Sequence, residues 1–261
     1  MSTPTLTLYT APTPNGHKVS IALEALKELY PDSGLSYDFK KLDFSKLEQK
    51  EPWYLQINPN GRIPAVTHHR PDGSHFNVFE TAAILLYLVQ RWDPERKISF
   101  EIGSDEESEA LQWIFFSHGG VGPMQGQANH FYRYAPEKIP YGINRYITET
   151  KRLYSVLEAR LTQGEGRDYL VGSGKGKYSI ADINVWPWVK GWAWSGIDNL
   201  DDFPNLAKWL DRIANSPGVQ AGLNIPETRP AVSELTKEQQ EEQARKASEW
   251  ILRGNGVNQT K

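Results

Sequence analysis

The hydrophobic period of this chain changes once, near residues 93–104, and that change limits the fold to two unlike parts. Before it, strand-like alternation and helical spacing take turns. "TLTLYT" (5–10) sets Leu6 and Leu8 between polar residues, the pattern of a strand buried on one face. Residues 17–30 place Val19, Ala22, Leu23 and Leu26 at helical spacing, and "YPDSG" stops them. "LSYDFKKLDF" alternates again, and "RIPAVTHH" with "HFNVFE" forms a hairpin around "RPDG". A compact apolar helix, "TAAILLYLVQRW" (81–92), follows. With a short helix at Pro52–Leu55 the order is β-α-β-α-β-β-α, a small α/β layer on one mixed sheet.

The stretch "DPERKISFEIGSDEES" is polar and without period, and from residue 104 the spacing is helical throughout. Leu111, Ile114, Phe115 and His118 share a face, which "GGVGP" is expected to break. Tyr146, Thr150, Leu153, Tyr154, Leu157 and Leu161 form a longer stripe. "SIAD" (179–182) is a capping box opening "INVWPWV", in which Pro187 predicts a kink. Leu206, Trp209, Leu210 and Ile213 make an amphipathic helix between Pro204 and Pro217-Gly218. In the polar tail, Thr236 and Gln239 form a second capping box. Trp250, Ile251 and Leu252 are candidate anchors and Gly254 a helix stop. The expected division is an α/β unit at 1–93, an all-α unit at 104–225 and a polar, one-helix extension at 226–261.

Composition then excludes several functions. With 29 Lys plus Arg against 32 Asp plus Glu, the net charge of −3 is unlike that of a dedicated nucleic-acid binder. Nine Trp, twelve Tyr and nine Phe supply material for a sizeable core. Cysteine is absent, so no disulfide scaffold, thiolate metal site or cysteine nucleophile belongs to the chain itself. Any thiol must arrive with a ligand. The six histidines show no metal-ligand spacing, and His68, His69 and His75 beside the hairpin turn are expected in solvent. No secretory signal or membrane-length apolar run is present, so the expected location is cytoplasmic with no membrane partner. "NHFYRY" (129–134) is read as a cleft wall or interface rather than a nucleic-acid patch.

Three stretches could carry chemistry, each with a plainer alternative. In "NPNGRIPAV" a proline at the head of an edge strand, cis above all, frees the backbone of Ile63 to pair with an extended peptide; an ordinary edge proline fits the same spacing. In "FETAAILLYL" the helix start at Glu80 and Thr81 suits a carboxylate and, through Glu80, an ammonium; simple helix capping is the alternative. In "APTPNGHKVS" Thr13 and Asn15 stand where a helix dipole lowers a thiol's pKa, and an Asn amide can donate to a thiolate; an Asx-type cap reads the same.

Together these stretches resemble the glutathione transferase superfamily, through "NPNGRIPAV", "FET" and "YSIADI". Within it, "APTPNGHKV", "EQKEPWYLQINPNGRIPAV", "GGVGPMQGQ" and "IPYGINRY" are similar to the nu-class group. That group includes bacterial disulfide-bond oxidoreductases and the transferase-like domain of the yeast nitrogen-regulator prion protein. The likeness spans about residues 5–225 and leaves the tail uncovered. It implies an α/β thioredoxin-like N-terminal domain plus an all-α C-terminal domain, a homodimer, and reduced or disulfide glutathione as co-substrate, without metal.

It also implies residue roles. Ile63 before a cis Pro64 pairs with the cysteinyl residue, Glu80 and Thr81 hold the γ-glutamyl end, and Gln49 reaches the glycyl carboxylate. Asn15 and Thr13 face the sulfur, and Arg152 completes the site, with Arg145 as its rival. Tyr9, the hydroxyl that many transferases would use, is expected to be a packed strand residue, and Ser20 is a weaker rival. The expected activity is glutathione-dependent disulfide reduction, with conjugating or peroxidase side activity on a small electrophile. The alternative is a non-catalytic binding or regulatory protein, whose mark would be an Asn/Gln-rich N-terminal extension; the first strand here starts within a few residues of Met1.

Overall fold

The computed structural model describes residues 4–254. Strand β1 (Leu6–Thr10) runs parallel to β2 (Tyr37–Lys41) and antiparallel to β3 (Ala65–His69), and β3 pairs antiparallel with β4 (His75–Phe79). The sheet order is β2-β1-β3-β4. A parallel pair needs a crossover, and helix α1 (Pro14–Leu29) supplies it between β1 and β2. Leu6 and Leu8 of β1 share one core with Val19, Leu23 and Leu26 of α1 and with Ile84, Leu85 and Leu88 of α3 (Thr81–Trp92). The short α2 (Pro52–Leu55) precedes β3, so the expected thioredoxin-like order is observed.

Two local expectations change. β2 is an edge strand and is mostly exposed; Phe39 is left uncovered, and the Lys40 ammonium lies 3.8 Å over the Trp53 ring. His68 is half-buried, its Nδ1 2.7 Å from the Tyr87 hydroxyl and its ring edge-on to Trp92, because α3 crosses this end of β3. Tyr9 packs against Trp53 and Tyr54, as a strand residue should.

The aperiodic stretch after α3 is ordered by one carboxylate. Asp93 is fully buried and accepts from Tyr30 Oη (2.5 Å), Ser99 Oγ (2.6 Å), Lys97 N (2.7 Å) and Ile98 N (3.1 Å). Helix α4 (Asp105–Phe116) then starts on Ser104, whose hydroxyl accepts from Glu107 N. "GGVGP" does not break this helix. It widens into a π turn at Ser117–Val121 and resumes as α5 (Gly122–Asn129), with Pro123 in the turn that follows the widening. Phe115 is exposed, since the buried face runs through Ala110, Ile114 and Ser117, and Phe115 lies one residue round from Ile114.

A second π turn holds His130–Tyr134, followed by α6 (Pro140–Leu161), α7 (Ile180–Lys190) and α8 (Pro204–Ala214). The α6 stripe is buried through Thr150, Leu153, Tyr154, Leu157 and Leu161. Ser179 and Asp182 form the expected capping box on α7, which carries Pro187 within it. Asp182, fully buried, also accepts from Leu170 N and Trp209 Nε1, joining α7 to α8.

Helix α9 (Val219–Leu223) lies directly on α1. A Cβ at Gly218 would fall 2.1 Å from Ala25 N, and one at Gly222 2.5 Å from Ile21 Cα, so only glycine permits this approach. Ser20 Oγ donates to Gly222 O (2.7 Å) and Gly218 N donates to Glu28 (2.9 Å), which spends the Ser20 hydroxyl on packing. The tail forms α10 (Lys237–Gly254), opened by reciprocal Thr236–Gln239 bonds of 2.9 and 3.2 Å. The Trp250 ring packs on Phe44 at 4.6 Å, tilted by 42°, and Ser248 Oγ donates to Tyr134 O. "NHFYRY" is therefore packing surface: Phe131 stacks on Tyr146, and Arg133 donates to Trp194 O beneath α10. No helix among the described residues is long and apolar enough to cross a membrane.

Candidate active site

A cavity of about 250 Å³ opens where α1, the head of β3, the start of α3, the first π turn and α7 converge. Its first wall is a fixed turn. Asn58 Nδ2 and Tyr54 Oη both donate to Arg62 O at 2.6 Å, while Asn60 N donates to Asn58 Oδ1. Gly61 takes φ +61°, and a Cβ there would come within 2.8 Å of Gln49 O. This turn delivers Ile63 and Pro64 to the cavity, with the peptide between them cis. The backbone N–H and C=O of Ile63 make no hydrogen bond among the described residues.

The second wall is the α1 terminus. Thr13 caps it, its hydroxyl accepting from Gly16 N (3.2 Å), and Pro14 opens the first turn. Asn15 lines the cavity, and its Oδ1 accepts from Trp188 Nε1 at 2.9 Å. An indole N–H only donates, so the amide oxygen is the atom that faces it and the NH₂ group remains to donate elsewhere. Gly122 admits the indole: a Cβ there would stand 3.1 Å from Trp188 Nε1.

The third wall is the start of α3. Glu80 adopts φ +73°, uncommon for a residue with a side chain, and its carboxylate caps nothing. Thr81 Oγ1 lies 3.1 Å from His118 Nε2, which also lies 3.1 Å from Asn184 Oδ1. Asn184 Nδ2 donates to Ile114 O, so its oxygen must accept, and His118 carries the proton on Nε2. Thr81 accepts from that same N–H, which leaves its own hydroxyl proton free to donate. Burial, and then the charge of Lys18, hold His118 below its ordinary pKa and favour this neutral form. The π turn places His118 here, as π turns inside α-helices often do at functional sites.

Five sequence-identified residues thus line one cavity: Asn15, Ile63, Pro64, Glu80 and Thr81. The others lie apart from its lining. Thr13 is occupied as a cap beside it. Gln49 is buried beneath the Asn58–Gly61 turn with its Oε1 unpartnered. Arg152 is on the exposed side of α6, where Nε and Nη2 each bond Glu149 at 2.8 Å, and Arg145 is exposed on the same helix. Sequence reasoning missed Lys18, His118 and Trp188, all of which line the cavity. For Lys18 there was a signal: it stands one turn before Ala22 on the apolar face of α1.

The site offers donors from the Asn15 amide, the Thr81 hydroxyl, the Ile63 N–H and the open first turn of α3, with acceptors at Glu80 and the Ile63 carbonyl. Such a set suits an extended peptide with a zwitterionic amino-acid end. Comparison with known proteins places this geometry in a family. The description "Glutathione S-transferase, N-terminal domain" matches residues 4–90, and "Glutathione S-transferase, C-terminal domain" matches residues 145–217. Disulfide-bond oxidoreductase YfcG of Escherichia coli (strain K12) is 42% identical over 218 residues, covering 83% of this chain and 93% of that protein.

Two solved structures align along most of both chains. A glutathione transferase homolog from Lodderomyces elongisporus, with two GSH per subunit, has a TM-score of 0.77 at 42% identity, covering 86% of this chain and all of that one. The glutathione transferase URE2P6 from Phanerochaete chrysosporium, in complex with oxidized glutathione, has a TM-score of 0.76 at 39% identity, covering 85% and 96%. The chain belongs to the glutathione S-transferase family.

Proposed function

We propose that this protein is a glutathione-dependent disulfide reductase of the nu-class type, with the Asn15 amide as the donor that holds the glutathione thiolate. The carrying observation is the Trp188–Asn15 bond, which turns the amide NH₂ away from the indole and leaves it free for the sulfur. The thiolate is the attacking form, and a donor at the positive end of α1 lowers the thiol's pKa. Ile63 pairs its backbone with the cysteinyl residue beside Pro64, Glu80 and Thr81 take the γ-glutamyl end, Gln49 takes the glycyl end, and Thr13 supports Asn15. Arg152 or Arg145 completes the site from α6.

Because the chain has no cysteine, all three sulfurs of each exchange (attacking, central and leaving) belong to ligands. One glutathione thiolate attacks the substrate disulfide; its S–S bond breaks, a mixed disulfide forms, and the leaving thiolate takes up a proton. A second glutathione thiolate then attacks the mixed disulfide at the glutathione sulfur, releasing the second substrate thiol and glutathione disulfide. The relatives described with two GSH per subunit or with oxidized glutathione support a site that holds both halves. The reading extends to a cytoplasmic homodimer with units at 1–93 and 104–225 and an extension at 226–261.

The test is glutathione-dependent reduction of 2-hydroxyethyl disulfide, coupled to glutathione reductase. Wild type is expected to turn over, with Asn15→Ala slower by roughly 100-fold, the scale of a lost transition-state donor. Trp188→Phe should keep the glutathione KM and lower kcat by about tenfold, since the amide loses its anchor. Full activity in Asn15→Ala would remove its role, and an inactive wild type that still binds glutathione would favour the non-catalytic alternative.

A further inference from the structure

Lys18 is the least expected side chain in the cavity. It lies three residues after Asn15 on the same face of α1, lines the cavity, and is only 2% exposed. Among the described residues its ammonium makes no hydrogen bond or ion pair, and it is not one of their fully enclosed unpartnered atoms, so it opens onto the cavity. Glu80 acts on it through space yet makes no ion pair with it. An unpaired buried cation is costly, and charged residues are almost never fully buried unless paired. Burial lowers the Lys18 pKa to about 7, and the charge of Glu80 opposes that shift only in part. Lys18, Thr81 and His118 line the same cavity, so the ammonium and the Thr81 hydroxyl open onto one space.

We propose that Lys18 Nζ is the buried cation that binds the α-carboxylate of a γ-glutamyl ligand, beside the Thr81 hydroxyl and the first turn of α3. The assignment rests on the glutathione reading above and deepens it. The ligand's amino-acid end carries one negative and one positive group. The cavity is lined by two cations, Arg62 at its exposed rim and Lys18 within, and by one carboxylate that caps nothing, Glu80; of the two cations only Lys18 is buried. Each ligand charge then meets its opposite, and the burial cost of Lys18 is offset only when the ligand is present. A carboxylate without the ammonium, or the reverse, leaves one protein charge unpaired, so the pair selects a free α-amino acid terminus over a plain peptide.

Calorimetric titration of the full chain with glutathione and with 4-aminobutyryl-cysteinylglycine, which keeps the ammonium and lacks the α-carboxylate, tests this. Wild type should prefer glutathione. Lys18→Met should lose about 10- to 100-fold in glutathione affinity, the scale of a charged hydrogen bond, while binding the analogue as wild type does. Its thermal midpoint should rise, because an apolar chain replaces an unpaired buried charge. Equal losses for both ligands, no loss, or a lowered midpoint would each overturn the assignment. Wild type that binds both ligands equally overturns it alone, without any variant. Wild type that binds neither overturns the glutathione reading, and this assignment with it.

Discussion

Asp93 and Lys18 are both charged and both almost wholly out of solvent, yet their surroundings are opposite. Asp93 accepts four hydrogen bonds, from Tyr30, Ser99 and two backbone N–H groups, and so ties the end of α3 to the segment leading into α4. Lys18 has three donors and no partner among the described residues. A carboxylate satisfied this fully is part of the fold, because every lone pair lost to water is replaced. A cation left bare in a cavity is part of the fold only at a cost, and a ligand is what removes that cost. The contrast separates structural from functional charge by counting partners, with burial held equal.

The contrast can be broken in three ways, the first two being substitutions at the Asp93 cluster in order of falling effect. Asp93→Ala leaves four donors without their acceptor and should lower unfolding free energy by about 3 kcal/mol in a urea melt, while calorimetric affinity for glutathione stays as in wild type. A wild-type midpoint would show that the segment holds without its carboxylate. Ser99→Ala removes one of the four donors and should lower stability by about 1.5 kcal/mol, an intermediate point between the two extremes. The third way is the pH dependence of Lys18, which shares the cavity with Glu80, His118 and Arg62.

For that last case the sign follows from proton counts. The Lys18 pKa falls from 10.5 to about 7 on folding, so between those values the unfolded chain binds more protons. Its share of stability therefore rises with pH across that window, and the penalty is complete below it. Thermal melts should show Lys18→Met ahead of wild type near pH 7 and the gap narrowing toward pH 10. A gap that stays constant would mean the ammonium is not desolvated.

The strand and helix order through residue 92 was legible because alternation and helical spacing are properties of one segment at a time, as in Leu6–Leu8 and Val19–Leu26. The two capping boxes were legible for the same reason: Ser179 with Asp182 and Thr236 with Gln239 each lie within one turn. What failed depended on a second segment. "GGVGP" looks like a terminator, yet the surrounding helices hold it as a π turn and bring His118 against Thr81 and Asn184. Trp188 lies in "INVWPWV" with nothing local to mark it, and its indole is committed to a residue 173 positions earlier. Neither local pattern reports which side chain it will face.

The contact of α9 on α1 has a further consequence. α1 presents Asn15 and Lys18 at its start, while its later turns are gripped by Gly218 and Gly222 with no room for a Cβ. The aim of two cavity residues is therefore set by a helix some two hundred positions downstream. A chimera that joins this sheet unit to a relative's helical unit would inherit every named residue of α1 and still point them wrongly wherever the glycine pair is changed. The site descends as one piece, and its two halves are not interchangeable parts.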